Sequence, residues 1–172
     1  MKPAKPAAFR ERLVFDQARG EIMDETRRYM LIRPEALMGL FRRLPAPARR
    51  DAMQALADSI FLMGSDSARA YRALGADNAR ALADTVAATA PQLGWGVWSF
   101  AIDEGAIRLS VENSPFAAGF GAAPEPVCTP IAGMLRAVSS MILEVETEVR
   151  EIGCRACGEN TCRFEATPRR SP

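Results

Sequence analysis

The chain has 172 residues, of which 48% are hydrophobic and 25% charged, a composition typical of a folded domain and not of a disordered chain. Its 22 lysines and arginines nearly balance 21 aspartates and glutamates, and the net charge of +1 argues against nucleic-acid binding. The chain contains no histidine, which excludes histidine-based catalysis and histidine-ligated haem or zinc.

The N-terminal segment predicts a flexible tail followed by a pair of strands. Residues 1–8 are rich in proline, alanine and lysine and lack the apolar stretch of a secretory signal. No apolar run approaches the ~20 residues that a membrane span needs, so we expect a cytoplasmic protein. Phe9–Phe15 and Arg27–Ile32 are expected to form two strands, separated by a polar segment that contains Gly20.

Helical spacing of apolar residues follows over the next sixty positions. Pro34 begins the first predicted helix, because proline suits the first turn. A second helix is expected to end at Gly64, and a short one to run over Ser65–Leu74. Asp77 is predicted to cap a further helix that ends before Pro91.

After these helices the apolar period changes to two, which predicts β-strands. Strands are expected over residues 98–102 and 107–111, joined by a tight turn at Glu104-Gly105. Asn113–Pro126 is predicted as a loop, whose apolar part at 116–121 is either a lid over a cavity or a packed surface loop. Thr129 is predicted as the cap of a helix with Pro130 at its first position. Residues 145–149 and 163–166 are further predicted strands. This order predicts one α+β domain over residues 9–167, with an antiparallel sheet and a short tail at 168–172.

All four cysteines lie within the last 45 residues, which favours a metal site over disulfides in a cytosolic chain. One possible ligand set is Cys128, Cys154, Cys157 and Cys162, since zinc prefers four tetrahedral ligands. Buried reduced cysteines or a redox pair are the alternatives, although the strand–helix context of a redox C-x-x-C is missing.

A second ligand set replaces Cys157 with Glu151. In a strand, Glu151 shares the face of Val149, and a buried carboxylate is costly unless it is paired or binds metal. A bulge at Gly153 can bring Cys154 to the same site, whereas Cys157 lies in the turn that follows.

The motif Glu151-x-x-Cys154-Arg-Ala-Cys-Gly-Glu-Asn-Thr-Cys162, with Cys128 before a helix and Gly94-Trp95-Gly96 opening a strand, resembles the 4-vinyl reductase domain family. The resemblance covers roughly residues 27–166. It implies Cys128, Glu151, Cys154 and Cys162 as zinc ligands. It also implies an α+β fold with a helical layer on an antiparallel sheet, similar to ligand-binding domains of nitric-oxide signalling and of Golgi transport particles.

The family resemblance further implies a small hydrophobic or aromatic ligand and a homodimer. Sensor domains of activators for phenol and toluene degradation belong to the family, and these use a histidine that this chain lacks. No ATPase or DNA-binding module accompanies the motif, so a signal is expected to pass through a partner protein. Six large apolar residues near the predicted strands and helix are the candidate pocket residues: Trp95, Trp98, Phe100, Phe116, Phe120 and Met134.

The sequence favours a binding or sensor domain over an enzyme. No dinucleotide-binding glycine motif or P-loop is present. Four protein ligands would also leave zinc no open position, which is typical of a structural site. The alternatives are an enzyme, accessory or carrier protein of bacteriochlorophyll (vinyl-tetrapyrrole) biosynthesis, and a scaffold that uses the fold only for protein contacts.

Overall fold

The computed structural model describes residues 8–73 and 75–169. Of the predicted tails at 1–8 and 168–172, residues 1–7 and 170–172 lie outside the described residues, whereas Pro168 is the last residue of a strand. The α-helices of the described residues are, in chain order, α1 Phe9–Arg12, α2 Pro34–Arg43, α3 Ala46–Ala73, α4 Ala79–Thr89, α5 Pro115–Phe120 and α6 Thr129–Leu143. The strands are β1 Val14–Asp16, β2 Glu21–Asp24, β3 Arg27–Tyr29, β4 Val97–Asp103, β5 Ala106–Glu112, β6 Thr147–Gly153 and β7 Cys162–Pro168.

The N-terminal segment forms a small antiparallel sheet in the order β1-β2-β3. The predicted strand pair is therefore wrong in two respects. Residues 9–12 are helical, and a third strand, Glu21–Asp24, lies between the two that were expected. The reason is that Arg12 forms a two-bond ion pair with the buried Asp24, which holds this middle strand against the short helix.

The helical region contains one long helix where two were predicted. Helix α3 runs through Gly64 without interruption. Gly64 serves close packing and does not end the helix. A Cβ at this position would lie 2.8 Å from Met134 Sδ, so the absence of a side chain lets α6 approach α3. Helix α4 is capped by Asn78, whose side chain accepts a hydrogen bond from Ala81 N, and not by Asp77 as predicted.

The C-terminal sheet is antiparallel in the order β4-β5-β7-β6. The β4–β5 turn falls at Glu104-Gly105 as predicted, with Asp103 pairing with Ala106. Strand β6 pairs with β7, and the register shifts between Glu151 and Gly153, where the sequence predicted a bulge.

Two predictions about the segment before α6 are wrong. The expected loop at 113–126 contains helix α5, because Ser114 accepts a hydrogen bond from Ala117 N and Pro115 fits the first turn. Helix α6 is capped by Cys128 and not by Thr129, which is itself the first helical residue.

One face of the C-terminal sheet packs on helices and carries the core. Buried side chains of β5 and β7, among them Leu109 and Phe164, join the apolar face of α6 in one cluster. Helix α6 in turn crosses α3 at Gly133. The predicted α+β fold, with an antiparallel sheet against a helical layer, is confirmed.

Candidate metal centre and cavity

Four separate elements bring three cysteines and a glutamate together. Cys128 caps α6, Glu151 lies in β6, Cys154 precedes a 3-10 turn at Arg155–Cys157, and Cys162 begins β7. The bulge between Glu151 and Gly153 turns the chain, as predicted, so that Cys154 reaches the same point as Glu151. The three cysteines are buried, with at most 1% of their surface exposed.

The ligand atoms of the four residues have the spacing of a metal site. Cys128 Sγ lies 3.9 Å from Cys154 Sγ and 3.6 Å from Cys162 Sγ. The three sulfurs and one carboxylate oxygen of Glu151 all lie within 4.8 Å of one another. Zinc–sulfur bonds of about 2.3 Å in a tetrahedron put the sulfurs about 3.8 Å apart, which matches these distances. A disulfide would need about 2 Å, and all four cysteines are free.

Glu151 is held in place but remains only half satisfied. Its Oε2 accepts a hydrogen bond of 2.8 Å from Cys128 N. Its Oε1 is buried and has no hydrogen-bond partner among the described residues. Because a buried carboxylate oxygen without a partner is costly, this orphan oxygen fits a cation ligand.

The crowding of acidic groups shifts their pKa values in opposite directions. Burial raises the pKa of Glu151 to about 8, and the Cys154 thiol adds to that shift. Hydrogen bonds with the sulfurs of Cys154 and Cys162 raise the pKa of Cys128. The sulfur contacts with Cys128 and Cys154 lower the pKa of Cys162. A bound dication would relieve this conflict, because it stabilises all four deprotonated groups together.

Polar groups around the cluster orient its ligands. Ser114 Oγ lies 3.3 Å from Cys128 Sγ, and Arg155 N donates to Cys162 Sγ at 3.4 Å. Contacts of this kind are typical of the hydrogen bonds that support metal ligands. The cluster can therefore hold a metal ion with three thiolates and one carboxylate.

The structure brings together the second predicted ligand set and not the first. Cys157 lies exposed in the 3-10 turn, outside the group formed by Cys128, Glu151, Cys154 and Cys162. Glu151 lies on the inner face of β6 together with Val149, as the alternation along the strand predicted.

A cavity of about 60 Å³ lies between α3, α4, α6 and the N-terminal sheet. Of the six predicted pocket residues, Trp95, Trp98 and Met134 line it. Phe116 packs edge-on against Trp95 with ring centres 5.1 Å apart, and Phe100 lies beside Trp98.

The remaining predicted aromatic residue lies deeper in the α5 region. Phe120 is buried, and the Arg49 guanidinium lies 5.8 Å from its ring centre. The prediction of Phe100, Phe116 and Phe120 as pocket residues is therefore not met, since none of the three lines this cavity.

Sequence reasoning missed the cavity residues on the first half of the chain. Phe9 and Tyr29 come from the N-terminal segment, and their rings meet edge-on at 5.3 Å. Gly64, Ala68 and Tyr71 line the cavity from one stripe of α3. The stripe has helical spacing, which could have identified it had the helix been predicted to continue beyond Gly64.

Comparison with known proteins confirms the predicted resemblance over the C-terminal part of the chain. Residues 107–168 match the family model of the 4-vinyl reductase domain. All four candidate metal ligands lie within this segment. No curated protein matches the chain.

Solved structures extend the likeness to most of the fold. The phenol-responsive sensory domain of the transcription activator PoxR, solved with phenol, is 21% identical with a TM-score of 0.77 over 92% of this chain and 85% of that one. A trafficking protein particle complex subunit 3 from Naegleria fowleri, covalently bound to palmitic acid, is 15% identical with a TM-score of 0.54 over 80% and 95%.

A vinyl-4-reductase family protein from Methanocaldococcus jannaschii is 16% identical with a TM-score of 0.46, over 83% of this chain and 98% of that one. That likeness is too low to carry an argument. The other two structures confirm the predicted fold type, and none of the helices within the described residues is long and apolar enough to cross a bilayer.

Proposed function

We propose that this protein is a zinc-stabilised binding or sensor domain for a small hydrophobic molecule. The observation that carries the proposal is the placement of α6 between two sites. The helix begins at Cys128 in the cluster, and its residue Met134 lines the cavity. At a rise of about 1.5 Å per residue, the cavity wall lies about 9 Å along the helix from the metal ligand.

Zinc would tie the start of α6 to the β6–β7 hairpin. Glu151, Cys154 and Cys162 belong to that hairpin region, so one ion would link it to α6. Loss of the ion would let the buried thiols and the carboxyl take up protons, and it would remove the bonds that join the two elements. Metal loss is therefore expected to loosen the cavity wall.

The cavity supports a ligand that is small and apolar. Its lining is dominated by aromatic and aliphatic side chains, and its volume of about 60 Å³ is below the ~150 Å³ of a cavity that binds benzene. The side chain of Met134 is unbranched and flexible, so it can move out of the lining and enlarge the cavity enough for a ligand with one ring. A tetrapyrrole needs a far larger cleft, which disfavours a role in vinyl-tetrapyrrole metabolism.

Tryptophan fluorescence tests ligand binding directly, because both tryptophans of the chain, Trp95 and Trp98, line the cavity. Titration with toluene is expected to change the emission with saturation. Ala68→Leu places a larger side chain in the cavity and should abolish the change, whereas Ala55→Leu on the exposed side of α3 should not. Absence of any saturable change in the wild-type protein would refute the proposal.

Ligand substitutions test the metal site. Glu151→Ala should lose zinc or bind it more weakly, since it removes the oxygen donor of the cluster. Cys157→Ala should retain one zinc per chain, because Cys157 is exposed and outside the cluster. Retention of zinc by Glu151→Ala together with its loss from Cys157→Ala would reverse the assignment.

The proposal includes a homodimer in the cytoplasm that signals through a partner protein. Four free cysteines suit a reducing compartment. Exposed apolar side chains at the N-terminal sheet and the segment after it, among them Phe15 at 60% and Leu31 at 85% exposure, favour a subunit contact. Sedimentation of the wild type and of Leu31→Asp tests the dimer, and a monomeric wild type would refute it.

A further inference from the structure

The cavity lining carries no charged side chain among the described residues. The residues of the lining that have a polar side-chain atom are Tyr29, Ser67, Tyr71, Thr89 and the two tryptophans. An ionised ligand would leave water without meeting a counter-charge in the cavity, which is strongly unfavourable. The lining therefore selects neutral molecules.

Several of these polar groups are already bound within the protein. Trp98 Nε1 donates to Trp95 O at 2.9 Å. Thr89 Oγ1 donates to Thr85 O at 2.8 Å, and Ser67 Oγ donates to a carbonyl of the preceding turn. These donors are not available to a ligand.

Unlike these donors, the two tyrosine hydroxyls have no hydrogen-bond partner among the described residues. Tyr29 projects from the N-terminal sheet and Tyr71 from α3, and no hydrogen bond within residues 8–73 and 75–169 involves either hydroxyl. They are the only tyrosines of the chain. Two tyrosines that line one cavity from separate elements, and whose hydroxyls have no partner within the described residues, are therefore candidates for a polar ligand contact.

The surroundings of Tyr29 keep its hydroxyl in the donor form. Burial raises the pKa of Tyr29, and the negative charge of Asp24 raises it further. Asp24 is itself buried and paired with Arg12 at 3.1 Å. Arg27 and Arg12 oppose the shift by a smaller amount, so the Tyr29 hydroxyl is protonated at neutral pH and can donate a hydrogen bond.

We propose that Tyr29 and Tyr71 form the polar end of the cavity and bind the single neutral oxygen of an otherwise apolar ligand, such as an aromatic alcohol. This inference rests on the proposed ligand-binding function and narrows its ligand class. It also makes the N-terminal sheet part of the binding site, since Tyr29 comes from that sheet.

A matched ligand pair tests the inference. Toluene and 4-methylphenol differ by one hydroxyl, so their affinities isolate the polar contact. Wild-type protein should bind 4-methylphenol more tightly than toluene. Tyr71→Phe and Tyr29→Phe should each weaken 4-methylphenol binding by about 3- to 10-fold, the usual size of one hydrogen bond, and leave toluene binding unchanged.

A control variant and an anion complete the experiment. Thr85→Val, outside the cavity lining, removes a hydroxyl that is already bound to Ala81 O and should not change the preference between the two ligands. The anion 4-methylbenzoate should bind more weakly than toluene. If toluene binds but the tyrosine variants keep the wild-type preference, this inference fails while the proposed function stands. If neither ligand binds the wild type, both fail.

Discussion

The crossing of α6 over α3 is closest at Gly133, and one added methyl group tests how rigidly that crossing is set. A Cβ atom at Gly133 would lie 2.2 Å from Ala57 O and 3.0 Å from the carbonyl carbon of the same residue. Ordinary contact begins near 3.4 Å, so the helices would have to move about 1.2 Å apart. The obstacle is backbone, which cannot rotate away.

The expected cost of Gly133→Ala combines two opposing effects. Alanine improves helix propensity by about 1 kcal/mol. Overpacking of a close-packed core costs about 1–3 kcal/mol, and a backbone obstacle belongs at the upper end. We expect a net loss of about 2 kcal/mol in the free energy of unfolding, or roughly 4–8 °C in melting temperature for a chain of this size.

Urea denaturation of glycine variants measures this cost. Gly39→Ala in α2 is the matched control, because its Cβ would meet only the terminal Nη1 of Arg43, at 2.9 Å. That flexible side chain can move, so the control should equal or exceed wild-type stability. Gly133→Ala should also bind zinc less tightly, since α6 carries Cys128 at its start. A Gly133→Ala variant as stable as Gly39→Ala would refute the reasoning.

Three further predictions concern a cap, a titration and the cavity. Asn78→Ala removes the N-cap of α4 and should cost about 1 kcal/mol in urea unfolding, and no loss would contradict the cap. Burial raises the pKa of Tyr29 above the unfolded value of about 10. The contribution of Tyr29 to the free energy of unfolding is therefore complete below about pH 10 and is lost as the pH rises through the folded pKa. Stability of Tyr29→Phe should therefore fall less steeply with pH above about 10 than that of the wild type, and equal slopes would contradict this. Met134→Ala enlarges the cavity and should tighten ethylbenzene binding measured by tryptophan fluorescence, whereas unchanged affinity would remove Met134 from the ligand path.

The C-terminal half was predictable because its signals are local. Alternation of apolar residues indicated the strands, and the turn at Glu104-Gly105 indicated their pairing. The inward parity of Glu151 and the bulge at Gly153 followed from the period of two and from one glycine. These features depend on near neighbours in sequence, whereas the choice of Cys128, Glu151, Cys154 and Cys162 as one ligand set followed from the family resemblance.

The errors in the helical half arise from contacts between distant segments. Gly64 and Ser65 resemble a helix end and a cap, yet Gly64 serves close packing against Met134, seventy residues later. Ser65 Oγ turns back to donate to Phe61 O inside the continuous helix. Local propensity cannot distinguish a glycine that ends a helix from one that accommodates a neighbouring helix.

The cavity was only half predictable for the same reason. Trp95, Trp98 and Met134 lie in the part of the chain that contains the family motif, whereas Tyr29 and Tyr71 come from segments without a motif. Their hydroxyls become significant only when the fold places them at one cavity. The N-cap position of Cys128 was also not predicted. The next two residues are a threonine and a proline, which is the order typical of a cap followed by the first helical residue.

The central claim is that one cation joins α6 to the β6–β7 hairpin through three sulfurs and one oxygen. Zinc-edge X-ray absorption of the purified protein, together with elemental analysis, tests it most directly. The account predicts about one zinc per chain with three sulfurs at about 2.3 Å and one oxygen at about 2.0 Å. A fully folded protein without metal, or a zinc surrounded by four sulfurs, would contradict it.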